Sequence, residues 1–241
     1  MTTERGTWRL PEGQVALLLK HAHLGSERRY RAGQVLYEQG THALGFYLLL
    51  EGMVQVSMIT ADGLEVILEL MGPDTVLGEG AAFPSTPKFS RAQALTDARA
   101  IEFVLPDMTS VFREYPEFGA AVFEISSQKL SIMMRRFIRL ASRRPEDRIL
   151  ELLERLSHHL GTPHPAGTRI DFHLTHDQVA AMTATSRVTV TRALQRLRKE
   201  GRVLEAGRNW ILVHDGAATT GTNPTGQALQ ESPRSGGAYL P

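Results

Sequence analysis

Cysteine is missing from all 241 residues, and that one absence excludes disulfides, thiolate zinc sites, cysteine-ligated iron–sulfur clusters and thiol redox sensing. No apolar run approaches the roughly 20 residues a bilayer-spanning helix needs. The opening MTTERGTWRLPEG lacks the basic-then-apolar layout of a secretory leader, so a cytoplasmic protein with no membrane partner is expected. Catalytic constellations are lacking too. We find no nucleophile–base pair, no His cluster at metal-ligand spacing and no Gly-rich loop leading into a Lys. Neither an enzyme nor a metal site is expected.

An excess of charge is also absent, since the net charge is +1. The near-balance hides an asymmetry. Residues 143–214 carry 12 Lys and Arg against 8 Asp and Glu, and Arg187 to Arg208 alone hold seven basic residues against two acidic. A locally basic segment on a near-neutral chain fits a nucleic-acid footprint better than a general polycation does.

That segment has a recognisable layout, LTHDQVAAMTATSRVTVTRALQRLRKEG from Leu174 to Gly201. Thr175 is a good N-cap for a short helix with Val179, Ala180 and Met182 on its apolar side. Ala184-Thr185-Ser186 interrupts, and Ser186 caps a second helix that Gly201 ends. Val190, Ala193, Leu194 and Leu197 fall at helical spacing on its inner face. Its outer face carries Arg187, Thr189, Thr191, Arg192, Gln195, Arg196 and Arg198. A tight turn into a basic second helix is the helix-turn-helix pattern. Arg187 and Arg192 lie toward the end that meets base edges, where Arg can bridge guanine O6 and N7.

The rest of the chain reads in blocks. Val15, Leu17, Leu18 and Leu19 mark a helix within a leader. Short β-prone runs follow at Gln34–Tyr37, Phe46–Leu50, Met53–Ile59, Glu65–Leu70 and Ala98–Val104, punctuated by glycines, which argues for a small antiparallel barrel or roll. Asp62-Gly63 is a hairpin signal. Asp107 can cap a short helix, and Pro116 opens a long one to about Ser142. Phe123, Leu130 and Phe137 repeat every seven residues on it, offset from Met133 and Leu140, beside a second stripe of Phe118, Ile125 and Ile132. Two stripes need two partners: the roll, and either the same helix of a second subunit or a bundle within the chain. Pro145 ends that helix and marks a hinge, Glu146–Leu160 is a further helix, and Gly161–Gly167 a Pro/Gly loop. Val203–Glu205 and Trp210–Val213 look like a two-stranded wing. Of the last 26 residues 18 are Gly, Ala, Thr, Ser or Pro, so that tail is expected to be disordered.

In this order, an antiparallel β-roll (a jelly-roll-like double-stranded β-helix), a long helix and a C-terminal winged helix-turn-helix resemble the CRP/FNR family of transcription regulators. The resemblance covers residues 28–214 and rests on RAGQVLYEQGTHALGFYLLLEGMVQV, ADGLEVILELMGPDTVLGE and LTHDQVAAMTATSRVTVTRALQRL. It implies an α+β chain in five parts. These are a leader and helix at 1–27, a sensor roll at 28–115, a dimerisation helix at 116–143, a winged helix-turn-helix at 144–215 and a tail at 216–241. It also implies a homodimer on an inverted-repeat operator in double-stranded DNA, with Phe123, Leu130, Met133, Phe137 and Leu140 between subunits. RNA polymerase is an implied partner, met near Gly161–Gly167, where Thr162 and His164 lie.

Arg187 and Arg192 match the family's two guanine readers. Thr175, Ser186 and Thr189 match contacts to phosphate or neighbouring bases, and Thr191 shares their face. Val188 stands where cAMP-type members have a Glu that accepts from cytosine. The SRVTVTR run is nearer the nitrogen-control regulators, so the half-site should be closer to GTA than to GTGA.

The sensor motif is altered. Gly78, Glu79, Gly80, Ala81 and Ala82 keep the beginning of the family's phosphate-binding turn, with Glu79 at the ribose ligand. Phe89 stands where the phosphate-pairing Arg belongs, between Lys88 and Arg91. Met133-Met134 falls on or near the adenine contacts. Three effector readings stay open: no ligand or an acidic metabolite such as 2-oxoglutarate; cAMP held through a displaced Lys88 or Arg91; and haem on His21, His23 or His42. A regulatory module that gates a partner protein is the alternative from another class, and the basic helix-turn-helix argues against it.

Overall fold

A computed structural model describes residues 8–42, 44–81, 86–104, 107–207 and 209–213. The tail at 216–241, and the roles expected of Ala82 and of the side chain of Ala81, lie outside what it describes.

Two four-stranded antiparallel sheets build the N-terminal half. One orders β1 (Ser26–Tyr30), β8 (Ala98–Phe103), β3 (Phe46–Glu51) and β6 (Thr75–Leu77). The other orders β2 (Val35–Tyr37), β7 (Arg91–Ala94), β4 (Val54–Ile59) and β5 (Glu65–Met71). The period of two decides what each face does. Along β3, Tyr47 and Leu49 point into the roll with Val54, Val56, Ala92 and Ala100. Phe46 and Leu48 point out against the helices with Phe103 and Phe118. Ring centroids of Phe46, Phe103 and Phe118 lie 4.9 to 6.0 Å apart, and each ring is fully buried, a contribution of roughly 1.5–3 kcal/mol apiece from burial. The Asp62-Gly63 turn does join β4 to β5: Gly63 has φ 84°, a left-handed conformation that favours glycine.

Three strands of the roll escape the sequence pattern. β1 is the exposed edge segment SERRY, charged and without alternation, and it crosses the boundary drawn after residue 27. β6 has only three residues, and β7 is Arg-Ala-Gln-Ala, poor in β-formers.

Helix α1 (Glu12–Lys20), α2 (Met108–Glu114) and the 27-residue α3 (Pro116–Ser142) cover the outer face of the first sheet. Pro116 begins α3, as its preset φ allows. Pro145 likewise begins α4 (Pro145–Leu160) rather than ending α3, and Arg143-Arg144 form the extended link between them. Gly161–Gly167 is not a loop. Its ends pair as β9 (Gly161–His164) and β10 (Gly167–Ile170), an antiparallel hairpin that β12 (Asn209–Val213) and β11 (Val203–Ala206) extend to four strands. Helices α5 (His176–Thr183) and α6 (Arg187–Lys199) pack on α4 over Ile149, Leu152, Leu153 and Leu156. That core also takes Ile67 and Leu70 from β5, so the two halves share one apolar cluster. No helix among the described residues is long and apolar enough to cross a membrane.

Candidate nucleic-acid interface and effector cavity

The helix-turn-helix is held by caps. The Thr175 hydroxyl accepts from the Gln178 N–H at 3.1 Å, and the Gln178 side chain accepts from the Thr175 N–H at 3.0 Å, a reciprocal capping box. The Ser186 hydroxyl accepts from the Thr189 N–H at 3.2 Å and starts α6. Between the helices, Ala184 takes the left-handed conformation (φ 48°) where glycine would be unstrained. Arg148 of α4 offsets that cost by donating to the carbonyls of Thr183 (3.0 Å) and Ala184 (3.2 Å), oxygens left over at the end of α5.

Burying Val190, Ala193, Leu194 and Leu197 fixes which face of α6 remains outside. Ser186, Arg187, Val188 and Arg192 are exposed, Thr189 and Thr191 half-buried beside them, and Thr175 is exposed at the start of α5. All seven sequence-predicted contact residues thus lie together on one surface. Among the described residues the Arg187 guanidinium pairs with Asp177, at 3.6 Å, with both side chains about 70% exposed, a pair too solvated to compete with a phosphate or a base. The helix N-terminus adds partial positive charge at the same place. His176 was missed. Its Nδ1 lies 2.9 Å from the Thr191 hydroxyl and its ring 6.1 Å from that of Trp210. It ties α5 to α6 and to the wing strand β12; its position next to a capping Thr is the only signal the sequence offered.

On α3, Phe123, Leu130 and Phe137 are 75%, 64% and 66% exposed, with Met134, Ile138 and Leu140 beside them. Met133 departs from that group. It is half-buried against the roll, because it follows Ile132 around the helix toward the Phe118–Ile125–Ile132 stripe, all three of which are buried.

That inner stripe also carries cations. Lys129 and Arg136 sit four residues after Ile125 and Ile132, and both are drawn inward. Lys129 faces a cavity of about 230 Å³ lined also by Tyr37, Leu68, Met71, Gly78, Glu79, Gly80, Phe89, Ser126 and Met133. Lys129 Nζ is 2.9 Å from Glu79 Oε1, with both side chains about nine-tenths buried, and it also donates to the Val76 carbonyl. Lys88 and Arg91 are committed elsewhere. Lys88 is buried and donates to the carbonyls of Gly45 (2.6 Å) and Gly78 (2.8 Å). Desolvation pulls its ammonium down to about 8, against the opposing pull of Glu79. Arg91 pairs with Glu38 at 3.1 Å. Neither lines the cavity, so of the proposed pocket residues Gly78, Glu79 and Gly80 come together there with Lys129, which sequence reasoning overlooked. The haem candidates do not gather. His21 is buried, with Nδ1 3.0 Å from the Leu17 carbonyl and Nε2 3.2 Å from Glu117. Among the described residues no group of three or more His, Asp or Glu could hold a metal.

Farther along α3, Glu69 of β5 is buried between Arg136 of α3 and Arg155 of α4, in contact with both guanidiniums. Burial alone would raise its carboxyl; the two cations outweigh that and hold it down at about 2. Desolvation brings Arg136 down to about 10, still protonated at neutral pH, so the group stays ionic. Beside it the Gly72 N–H donates to Nε2 of His159 at 3.1 Å, which links the roll to α4 a second time.

Two family models match the chain: a cyclic nucleotide-binding domain over residues 27–115 and a Crp-like helix-turn-helix domain over 147–218. The transcriptional regulator SdrP of Thermus thermophilus is 31% identical over 176 residues, 71% of this chain and 82% of its own. A global nitrogen regulator of Synechocystis is 27% identical over 81% of this chain and 90% of its own. The crystal structure of a CRP/FNR-family transcriptional regulator, also from Thermus thermophilus, superposes with a TM-score of 0.65 at 27% identity, covering 78% of this chain and 94% of that one. The roll, the long helix and the winged helix-turn-helix are therefore those of a known architecture, and the chain belongs to the CRP/FNR family of transcription regulators.

Proposed function

We propose that this regulator is a homodimer that reads an inverted-repeat operator and reaches its DNA-reading state without a diffusible effector. The observation that carries the first part is the outer surface of α6. Arg187, Val188 and Arg192 are exposed there on a helix whose other face is locked into the core. Arg187 and Arg192 read guanine edges, Thr175, Ser186 and Thr189 fix the register on phosphates, and Thr191 stands beside them. The exposed apolar side of α3, from Phe123 through Leu130 and Phe137 to Leu140, is the second subunit's seat, which sets two half-sites about one helical turn apart. The hairpin β9–β10, with Thr162 and His164, is the proposed polymerase contact.

The second part rests on the Glu79–Lys129 pair. The carboxylate that would take a ribose hydroxyl is already matched by an internal cation, and the described lining of the cavity holds no arginine for a cyclic phosphate. cAMP and acidic metabolites are correspondingly weaker candidates.

The test is selection of duplexes from a randomised pool by the full chain, with no small molecule added and then with cAMP or 2-oxoglutarate. The expected product is an inverted repeat with GTA-like half-sites, enriched without ligand, whose affinity falls steeply with salt. Enrichment only with cAMP would transfer the reading to a cAMP-activated regulator. No enrichment under any condition would leave a module that gates a partner protein.

A further inference from the structure

The N-terminal segment ahead of α1 does more than lead into the fold. Leu10 N–H donates to the Asp74 carbonyl at 2.8 Å, and the Arg9 guanidinium pairs with the Asp74 carboxylate at 2.9 Å, which fastens residues 8–10 to the β5–β6 turn. Trp8 is thereby placed on the wall of the effector cavity, 8% exposed and packed into the core of the roll. Two cations of α3 meet its ring: Lys129 Nζ is 4.8 Å and Arg136 Cζ 5.2 Å from the ring centroid. Both distances are within the range in which the electron-rich ring attracts a cation.

Each cation has its other contact elsewhere. Lys129 reaches back to Glu79 in the cavity at 2.9 Å. Arg136 reaches on to Glu69, which is shared with Arg155 of α4 in the DNA-binding part. Trp8 is thus the joint in an unbroken line from Glu79, through Lys129, Trp8, Arg136 and Glu69, to Arg155.

We propose that Trp8 is a built-in ligand of this regulator: by holding Lys129 and Arg136 it occupies the role of a diffusible effector and keeps the DNA-binding part docked through Glu69 and Arg155. The proposal deepens the effector-independent reading above and rests on it. It gives that reading a cause, because the chain's own N-terminal segment forms part of the cavity wall. The ring face, not the indole N–H, carries the effect, since that N–H is buried with no hydrogen-bond partner among the described residues. Phenylalanine, which has a face and no N–H, should therefore replace it, whereas an aliphatic side chain should not.

Full-length wild type, Trp8→Phe and Trp8→Leu are compared by affinity for the selected operator with no small molecule present, and by the native-state rate of trypsin cleavage at Arg143-Arg144, the exposed link between α3 and α4. Loss of two ring contacts should weaken operator binding about tenfold and speed cleavage about tenfold in Trp8→Leu, while Trp8→Phe stays within about threefold of wild type. Trp8→Met takes the place of Trp8→Leu if the latter lacks the wild-type far-ultraviolet spectrum. An aliphatic variant that matches wild type in both measurements overturns the proposal, as does a phenylalanine variant as impaired as the leucine one. If wild type selects no duplex without ligand, the effector-independent reading fails. The cleavage rates then still decide whether Trp8 docks the DNA-binding part.

Discussion

The chain uses its long cationic side chains in two opposite ways. On α6, Arg187 and Arg192 stand in solvent, Arg187 with only a loose carboxylate partner. Under the roll, Lys129 is buried and Arg136 and Arg155 are largely covered, and each contacts a carboxylate at least nine-tenths buried. Exposed cations gain little from a single solvated carboxylate and much from a polyanion. Buried ones have already spent their charge on the fold, and they are costly only when a partner is removed. Chemically similar groups are thus a proposed reading surface in one place and an internal fastening in the other. The difference lies in what surrounds them, and it can be broken from either side.

The largest effect should come from the fastening. Glu69→Gln leaves Arg136 and Arg155 buried with no countercharge, and breaking such a group costs about 3–5 kcal/mol. Denaturant unfolding should show that loss, whereas Arg187→Ala should stay within about 0.5 kcal/mol of wild type, as a substitution away from any packed feature does. Equal stability of the two variants would mean that Glu69 is not the link between roll and DNA-binding part.

From the other side, Arg192→Ala should cost about 1–3 kcal/mol of operator affinity and relax the preference for one base in each half-site. Random-sequence duplex should be affected far less. A uniform loss on operator and random duplex would make Arg192 a phosphate contact, and the guanine assignment would fall.

These two sets also differ in how far they could be read from the sequence. The surface set announces itself, since Thr175, Ser186, Arg187 and Arg192 sit at fixed offsets around a local turn. Periodicity shows which side of α6 is buried, and helix caps are local chemistry. The buried set depends on contacts between distant segments. Glu69, Arg136 and Arg155 are 67 and 19 residues apart, and nothing in a 3.6-residue period says that a carboxylate on β5 will reach two helices. One clue was available: Lys129 and Arg136 follow the apolar stripe of Ile125 and Ile132 by four residues, where a cation is buried or not there at all. The effector cavity failed for the same reason. Lys88 and Arg91 are near Phe89 in sequence, whereas the group that reaches Glu79 comes from 50 residues away on α3. The edge strand β1 was lost because its charges hide it, and the hairpin β9–β10 because Gly and Pro read as a loop.

A pH titration sharpens the same contrast. Burial lowers the pKa of His159, so the folded chain resists the proton that the unfolded chain accepts below about pH 6.5. Stability should be fully present above that pH and fall as the pH drops, when the Gly72–His159 bond loses its acceptor. Glu69 then extends the loss, from the ordinary carboxyl value of 4.5 down toward about 2. His159→Gln keeps an acceptor that does not titrate, so its stability between pH 7 and 5 should be flatter than that of wild type in matched thermal scans. An unchanged slope would assign the acid sensitivity to another group.

The smallest effect, and the finest probe of the reading surface, is Val188→Glu. Val188 is 58% exposed at the second position of α6, where an apolar side chain can touch a thymine methyl but cannot discriminate by hydrogen bonding. A carboxylate there could accept from cytosine N4, as paired acidic side chains do in the major groove. It would also lie one turn before Arg192, and that i, i+4 attraction of about 0.3–0.5 kcal/mol draws on the same guanidinium. The net gain for a G·C pair should therefore be near the low end of a base contact, about 1 kcal/mol. Repeating the duplex selection with Val188→Glu should move one position of each half-site toward G·C and leave the Arg187 and Arg192 positions unchanged. If the selected sequence does not move while overall affinity drops, Val188 faces the phosphate backbone. The repulsion of the new carboxylate would then locate the edge of the surface that α6 presents to DNA.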